Sequence, residues 1–278
     1  MQRLKKLFDF YIYSSLHVSL ATFSMTKISL LTYGIQDNWI PFFVFCSTFT
    51  SYNFIRDLEF KNVAKHEFLI WFMKRRKLLF LLSFALSFVN LIIFFSPVFK
   101  WKSLIVLIPF ALMTVFYAIP VFRFRNKNYN LRNIPFLKIF TISIAWAGIT
   151  VLFPLENFGI PFTKNVWLDF LQRILFVLII TLPFDIRDLE HDAISLQTFP
   201  QKIGIRNTKI VGVLFAILFS FFQILQSYDF DKISLVKYII ILVSTLFLII
   251  SSEKQSKFYA SFFVEALPIV WLILLLLS

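Results

Sequence analysis

The apolar run at residues 168–184 (LDFLQRILFVLIITLPF) ends in Asp185-Ile186-Arg187-Asp188-Leu189-Glu190-His191-Asp192. Its inner pentapeptide, Ile-Arg-Asp-Leu-Glu, recurs as Ile55-Arg56-Asp57-Leu58-Glu59, where a second apolar run (residues 39–55) reaches its own polar end. Seventeen helical residues rise by roughly 26 Å, close to the ~30 Å thickness of a bilayer's hydrocarbon. In the second copy Asp185, Asp188 and Asp192 fall three and then four positions apart, which puts them on one face of a helix. In the first copy Asn53 and Asp57 are four apart, again on one face. Two membrane-length helices are therefore expected to end in similar polar faces.

The rest of the chain repeats the pattern of long apolar runs. It is 278 residues long, 59% hydrophobic and only 15% charged, with a mean hydropathy of +0.78, far from an ordinary soluble domain. Runs of spanning length lie at residues 10–31, 39–55, 78–95, 103–121, 136–155, 168–184, 210–225, 236–252 and 262–277. Period-two alternation is absent, which argues against a transmembrane barrel. The expected fold is an all-α, multi-pass transmembrane bundle of about nine helices in a single domain, residues 1–278. Asp57 and Asp188 stand 131 positions apart, which suits two pseudo-repeated four-helix halves followed by a ninth helix.

The net charge of +13 invites a nucleic-acid reading, and the positions of the charges argue against it. Of the 28 Lys and Arg residues, 21 fall at the N-terminus or in the even-numbered connections between runs. That bias places the N-terminus and both acidic segments in the cytoplasm, with the chain integral to the cell's inner or plasma membrane. The basic residues then serve topology and contact with anionic membrane lipids; no nucleic acid and no obligate protein partner is expected. Arg3, Lys5 and Lys6 read as a retained basic start, since no small-residue cleavage site follows the first run. The lone Cys46 can form no intramolecular disulfide. His66 and His191 lack metal-ligand spacing with cysteine, which disfavours zinc. The connections on the far side carry no conspicuous cluster of ionisable groups, which disfavours a transporter.

Two acidic helix ends at one membrane edge suggest chemistry. Oxygen ligands of this kind hold hard divalent cations, and such cations can bridge to a phosphorylated ligand. Between the fourth and fifth runs stand Tyr117, Pro120 and Arg123, with Lys138 entering the fifth. A basic run, Lys74-Arg75-Arg76-Lys77, follows the first acidic segment, and its plain reading is topology and lipid contact. Glu59 and Glu190 point away from the Asp faces and read as surface residues. Glu265 lies within the ninth run, where a charge is costly unless it faces protein or a cavity. His17, in the first run, has two readings: a hydrogen-bonded core histidine, or part of a pocket for an acceptor.

At these residues the chain resembles the UbiA superfamily of intramembrane prenyltransferases. The stretch from Asp185 to Asp192, followed by Thr198, Phe199, Pro200 and Gly204, is similar to that family's second aspartate-rich motif and its tail. Tyr117, Pro120 and Arg123 resemble its loop between the fourth and fifth helices. The first motif departs from the family's Asn-Asp-x-x-Asp-x-x-x-Asp: Asn53 and Asp57 match, while Phe54 and Lys61 replace two carboxylates.

The resemblance implies a Mg²⁺-dependent prenyltransferase, an enzyme that transfers alkyl groups other than methyl. It would move an isoprenoid group from a prenyl diphosphate donor to a lipophilic acceptor. By the same resemblance Asp57, Asp188 and Asp192 would be catalytic, and Asn53, Asp57, Asp185, Asp188 and Asp192 would ligate metal. Lys61, Arg123, Lys138, Arg187 and Lys202 would bind diphosphate, and His17 and Tyr117 would line the prenyl and acceptor pocket. The altered first motif motivates an alternative, a relative that binds a lipid diphosphate as carrier, scaffold or sensor without turning it over.

Overall fold

Backbone polar groups in hydrocarbon must be satisfied within the segment itself, so the apolar runs fold as helices. The computed structural model describes residues 2–60, 67–119, 122–124, 127–129, 131, 134, 137–190, 196–226 and 231–278. The helices are α1 (Gln2–Tyr13), α2 (Leu16–Thr32), α3 (Trp39–Phe60), α4 (Glu67–Phe94), α5 (Leu104–Ala118), α6 (Leu137–Ala147), α7 (Phe153–Asn157), α8 (Lys164–Arg187), α9 (Phe199–Gln226), α10 (Lys232–Ile250) and α11 (Leu267–Leu277). A π-helical turn, Gly148–Leu152, joins α6 to α7, and another, Tyr259–Val264, precedes α11. Among the described residues, seven helical stretches are long and apolar enough to cross a membrane. With α2 and α3 packed among them, the chain is a multi-pass helical membrane bundle.

The central helix is α8, which packs against α6, α9 and α10. Its face of Phe176, Ile179, Leu182 and Ile186 meets Phe219 of α9, Ile240 and Leu248 of α10, and Trp271 of α11 in the largest apolar cluster. Close approach there depends on Gly212 of α9, where a Cβ would lie 2.0 Å from Leu248 Cδ2. On the other flank α3 packs between α2 and α4. Ser19, Ser24, Thr26, Ser29 and Thr32 of α2 each donate to the carbonyl four residues earlier, so a hydroxyl-rich helix buries its polar atoms internally.

Several boundaries differ from the sequence expectation. The first run (10–31) is not continuous: Ser15 adopts a left-handed conformation (φ 75°) that separates α1 from α2. Helix α4 begins at Glu67 rather than 78, because the basic run Lys74–Lys77 continues the helix instead of ending it. Twenty-eight residues give α4 roughly 42 Å, longer than the hydrocarbon is thick. Helix α9 begins at Phe199 and kinks at Gly204 (φ 76°, ψ 163°), a backbone state that glycine adopts without steric cost. Between α5 and α6, where a loop was expected, strands β1 (Phe122–Phe124) and β2 (Lys127–Tyr129) form an antiparallel hairpin.

Ionisable groups also gather at the end of the bundle remote from the pentapeptides. Asp169 accepts from Tyr33 Oη (2.7 Å) and Lys237 Nζ (2.8 Å), and Lys237 also donates to Gln172 (3.0 Å) and Gln226 (2.8 Å). Arg173 donates to the Met25 carbonyl (2.9 Å) and Ser29 (3.2 Å). These groups surround a cavity of about 10 Å³, room for one water. They come from helices rather than from the connections, so spacing along the chain did not reveal them. Lys237 and Asp169 form an ion pair and Arg173 is held by neutral oxygens, so the network is a structural tie between α2, α8 and α10.

Candidate functional site

Helix α8 delivers the second acidic segment. The Asp188 N–H closes the helix on the Phe184 carbonyl (2.9 Å), and the side chains of Asp185 and Asp188 pair with different cations. The Asp185 side chain is only 2% exposed and pairs with Lys138 Nζ of α6 at 3.0 Å. Asp188 is 30% exposed, and Arg187 grips it twice, Nε to Oδ1 at 2.8 Å and Nη2 to Oδ2 at 2.9 Å. Arg187 Nη1 reaches further, to Ser261 Oγ in the π turn before α11 (2.8 Å). One guanidinium thus ties the acidic end of α8 to the last membrane stretch.

The first segment is built differently. Asn53 is buried, and its amide is committed to the break between α1 and α2: Nδ2 donates to the Ser14 carbonyl (3.2 Å) and Oδ1 accepts from Ser15 Oγ (3.1 Å). Arg56 supports the same break, donating to the Tyr13 carbonyl (2.9 Å) and Ser15 Oγ (2.6 Å). Asp57 is held by two bonds from Arg76 of α4, a member of the basic run.

The two pentapeptides converge on one residue. Arg56 and Arg187, at the same position of each copy, both act electrostatically on Glu265, which caps the π turn before α11. Tyr11 and Tyr52 also lie within electrostatic reach of Glu265, and Tyr117 of α5 within that of Tyr52. Tyr52 stands edge-on to Trp146 of α6, ring centroids 6.4 Å apart. His17 borders the group through Tyr11: Tyr11 Oη lies 2.7 Å from His17 Nδ1, and His17 Nε2 lies 3.0 Å from the Phe262 carbonyl. A carbonyl only accepts, so Nε2 carries the proton and Nδ1 accepts from the tyrosine. Both nitrogens of His17 are therefore occupied, as a core histidine's would be, while its ring stacks on Phe262.

Of the residues expected from sequence, the structure gathers Asn53, Asp57, Lys138, Asp185, Arg187 and Asp188 at this end, with His17 and Tyr117 bordering the Glu265 group. Lys202 lies in the first turn of α9 with its side chain exposed. Arg123 pairs through its backbone with Asn128 in the hairpin. Lys61 and Asp192 lie outside the described residues. Sequence reading missed Tyr11, Tyr52, Arg56 and Ser261, and left Glu265 without a role. The signal for the two arginines was present, since each occupies the second position of the repeated pentapeptide.

For a divalent cation the donor chemistry fits: Asp57, Asp185 and Asp188 supply oxygen only, the ligand type of Mg²⁺. Among the described residues no three His, Cys, Asp or Glu side chains are gathered into a ligand set, and each of the three carboxylates is neutralised by a basic side chain.

No family profile and no curated protein matches the chain. A solved structure described as a digeranylgeranylglyceryl phosphate synthase in membranes superimposes with a TM-score of 0.56 over 100% of this chain and 97% of that one, at 18% sequence identity. The two chains share a fold.

Proposed function

We propose that the protein is an intramembrane prenyltransferase, moving a prenyl group from a prenyl diphosphate to a lipophilic acceptor. The observation that carries this reading is the convergence of the two pentapeptides at one end of the bundle, with Asp57, Asp185 and Asp188 beside Arg76, Lys138 and Arg187. The fold shared with a synthase that acts in membranes supports it. So does the interleaving of acid and base, because a diphosphate donor needs both a cation partner and direct neutralisation of its departing oxygens. Asp57, Asp185 and Asp188, with Asp192, would hold Mg²⁺, which when bound supplies charge neutralisation to the leaving diphosphate. Lys138 and Arg187 bind and orient the phosphate oxygens, with Lys61, Arg123 and Lys202 as further cations. Tyr52 and Trp146 present ring faces to a developing allylic cation. The apolar helices exclude water that would otherwise capture it. Diphosphate release from geranylgeranyl or farnesyl diphosphate by the purified protein, with and without Mg²⁺, tests the proposal.

A second reading has its own observation. Asn53 is spent on packing and Asp57 is locked to Arg76, as they would be if the first segment served architecture alone. In that case the protein binds a lipid diphosphate as carrier, scaffold or sensor. Metal-dependent thermal stabilisation by a non-hydrolysable prenyl diphosphate analogue, without turnover of the parent compound, selects this second reading.

A further inference from the structure

Arg173 carries a charge that the network around it does not cancel. Asp169 pairs with Lys237 through Oδ1 at 2.8 Å and accepts from Tyr33 on Oδ2, so both carboxylate oxygens are engaged. Arg173 is only 4% exposed, and among the described residues no carboxylate pairs with it within 4 Å. Its acceptors are neutral: the Met25 carbonyl (2.9 Å), Ser29 Oγ (3.2 Å) and Thr150 Oγ1 (3.4 Å). A guanidinium has five N–H groups, so at least two of them lack an acceptor among the described residues. Asp169 and Lys237 balance each other, which leaves one positive charge in excess. A buried charge in a membrane span is costly unless it is paired.

The cavity of about 10 Å³ lies against this charge. Arg173 lines it together with Ser29, Tyr33, Asp169, Lys237 and Trp271. Trp271 is 3% exposed, and Arg173 Cζ lies 5.1 Å from the centre of its ring. Among the described residues its indole N–H has no acceptor. The other groups on the wall are satisfied. Lys237 gives its three N–H groups to Asp169, Gln172 and Gln226, and Ser29 donates to the Met25 carbonyl (3.2 Å). The unmet groups around the cavity are therefore donors, beside an unbalanced positive charge. A water molecule would meet the donors and leave the charge. A one-atom anion meets both, and the volume is too small for sulfate or phosphate.

We propose that this cavity binds one small monovalent anion, chloride in size, on the unsatisfied N–H groups of Arg173 and Trp271. The ion neutralises Arg173 and joins α2, α8, α10 and α11 at the end of the bundle remote from the pentapeptides. Arg173 precedes Asp188 by fifteen residues, roughly 22 Å of helix, so this site is separate from the proposed diphosphate site. It does not depend on prenyl transfer. Its consequence is a fold whose stability responds to halide and not to ionic strength alone.

The test uses the full chain, purified in detergent with sodium gluconate as the only salt. Radiolabelled chloride binding is measured at equilibrium, and thermal unfolding is followed as chloride, bromide or sulfate replaces gluconate at constant ionic strength. One saturable chloride per chain is expected, displaced by bromide and not by sulfate. Chloride at about ten times its Kd should raise the unfolding temperature by about 3 °C, and sulfate should leave it unchanged. Arg173→Met should abolish binding. Trp271→Phe keeps the ring and the packing, removes the indole N–H and should weaken chloride binding about tenfold, which decides the matter if Arg173→Met does not fold. No saturable chloride binding by the parent chain leaves a single water as the occupant and overturns the proposal. Equal stabilisation by sulfate, binding that survives Arg173→Met, or affinity within twofold of the parent in Trp271→Phe overturns it too.

Discussion

Arg76 holds Asp57 in a two-point clasp, Nε to Oδ1 at 2.6 Å and Nη2 to Oδ2 at 2.9 Å, so a basic residue of α4 occupies both oxygens of the acid that closes α3. For Asp57 to ligate a cation, Arg76 must let go. Arg76 is 47% exposed, and an exposed pair of this kind contributes only about 0.2–1 kcal/mol. Arg76→Gln should leave the unfolding temperature nearly unchanged and lower the Mg²⁺ concentration for half-maximal diphosphate release. An unchanged Mg²⁺ requirement would assign Asp57 to packing.

Lys138 and Asp185 make the opposite prediction, because their pair is buried. Lys138→Met removes the ion-pair partner of Asp185 between α6 and α8, and breaking one side of a buried pair costs about 3–5 kcal/mol. A marked fall in thermal stability in detergent is expected, with substantial recovery in the double variant Lys138→Met, Asp185→Asn. If the single variant is as stable as the parent, the ion pair does not form in the membrane.

Asn53 is expected to behave as a structural residue whatever the enzyme's activity. Asn53→Asp removes the donor to the Ser14 carbonyl and brings a negative charge against it, at a cost of about 1–3 kcal/mol for the unsatisfied group. Thermal unfolding should register that loss, and hydrogen exchange should quicken at the break between α1 and α2. Stability equal to the parent's, with tighter Mg²⁺ binding, would instead assign Asn53 to metal ligation.

Gly212→Ala tests the packing that sets α9 against α8 and α10. The added methyl would sit 2.0 Å from Leu248 Cδ2 and 3.0 Å from Leu182 Cδ1, so one or both leucines must move. Overpacking of this size costs about 1–3 kcal/mol. A differential unfolding measurement that finds no loss would mean that these helices are spaced more widely.

The fold was legible because a membrane leaves the chain few choices: apolar runs of spanning length must be helical, and among the described residues seven helical stretches are long and apolar enough to cross. What periodicity could not supply was local. The Ser15 break sits in a run with no glycine or proline to announce it, and the π turns leave no compositional trace. At the proposed site, sequence singled out Asp185 and Asp188 by type and spacing and Lys138 by resemblance, and the structure adds that Lys138 and Asp185 bond each other. Glu265 was visible as an acid in an apolar run, but its neighbours Tyr11, Tyr52, Arg56 and Arg187 come from three other helices. Contacts between distant segments of that kind are set by helix packing, and no pattern along the chain encodes them.

The measurement closest to the central claim is diphosphate release from geranylgeranyl diphosphate by the purified chain in lipid discs, compared with Asp188→Asn and Asp192→Asn. Mg²⁺-dependent release that falls at least 100-fold in both variants, with donor still bound, is the expected result. Donor bound but never cleaved by the parent chain, or cleavage unchanged by either substitution, would contradict the account.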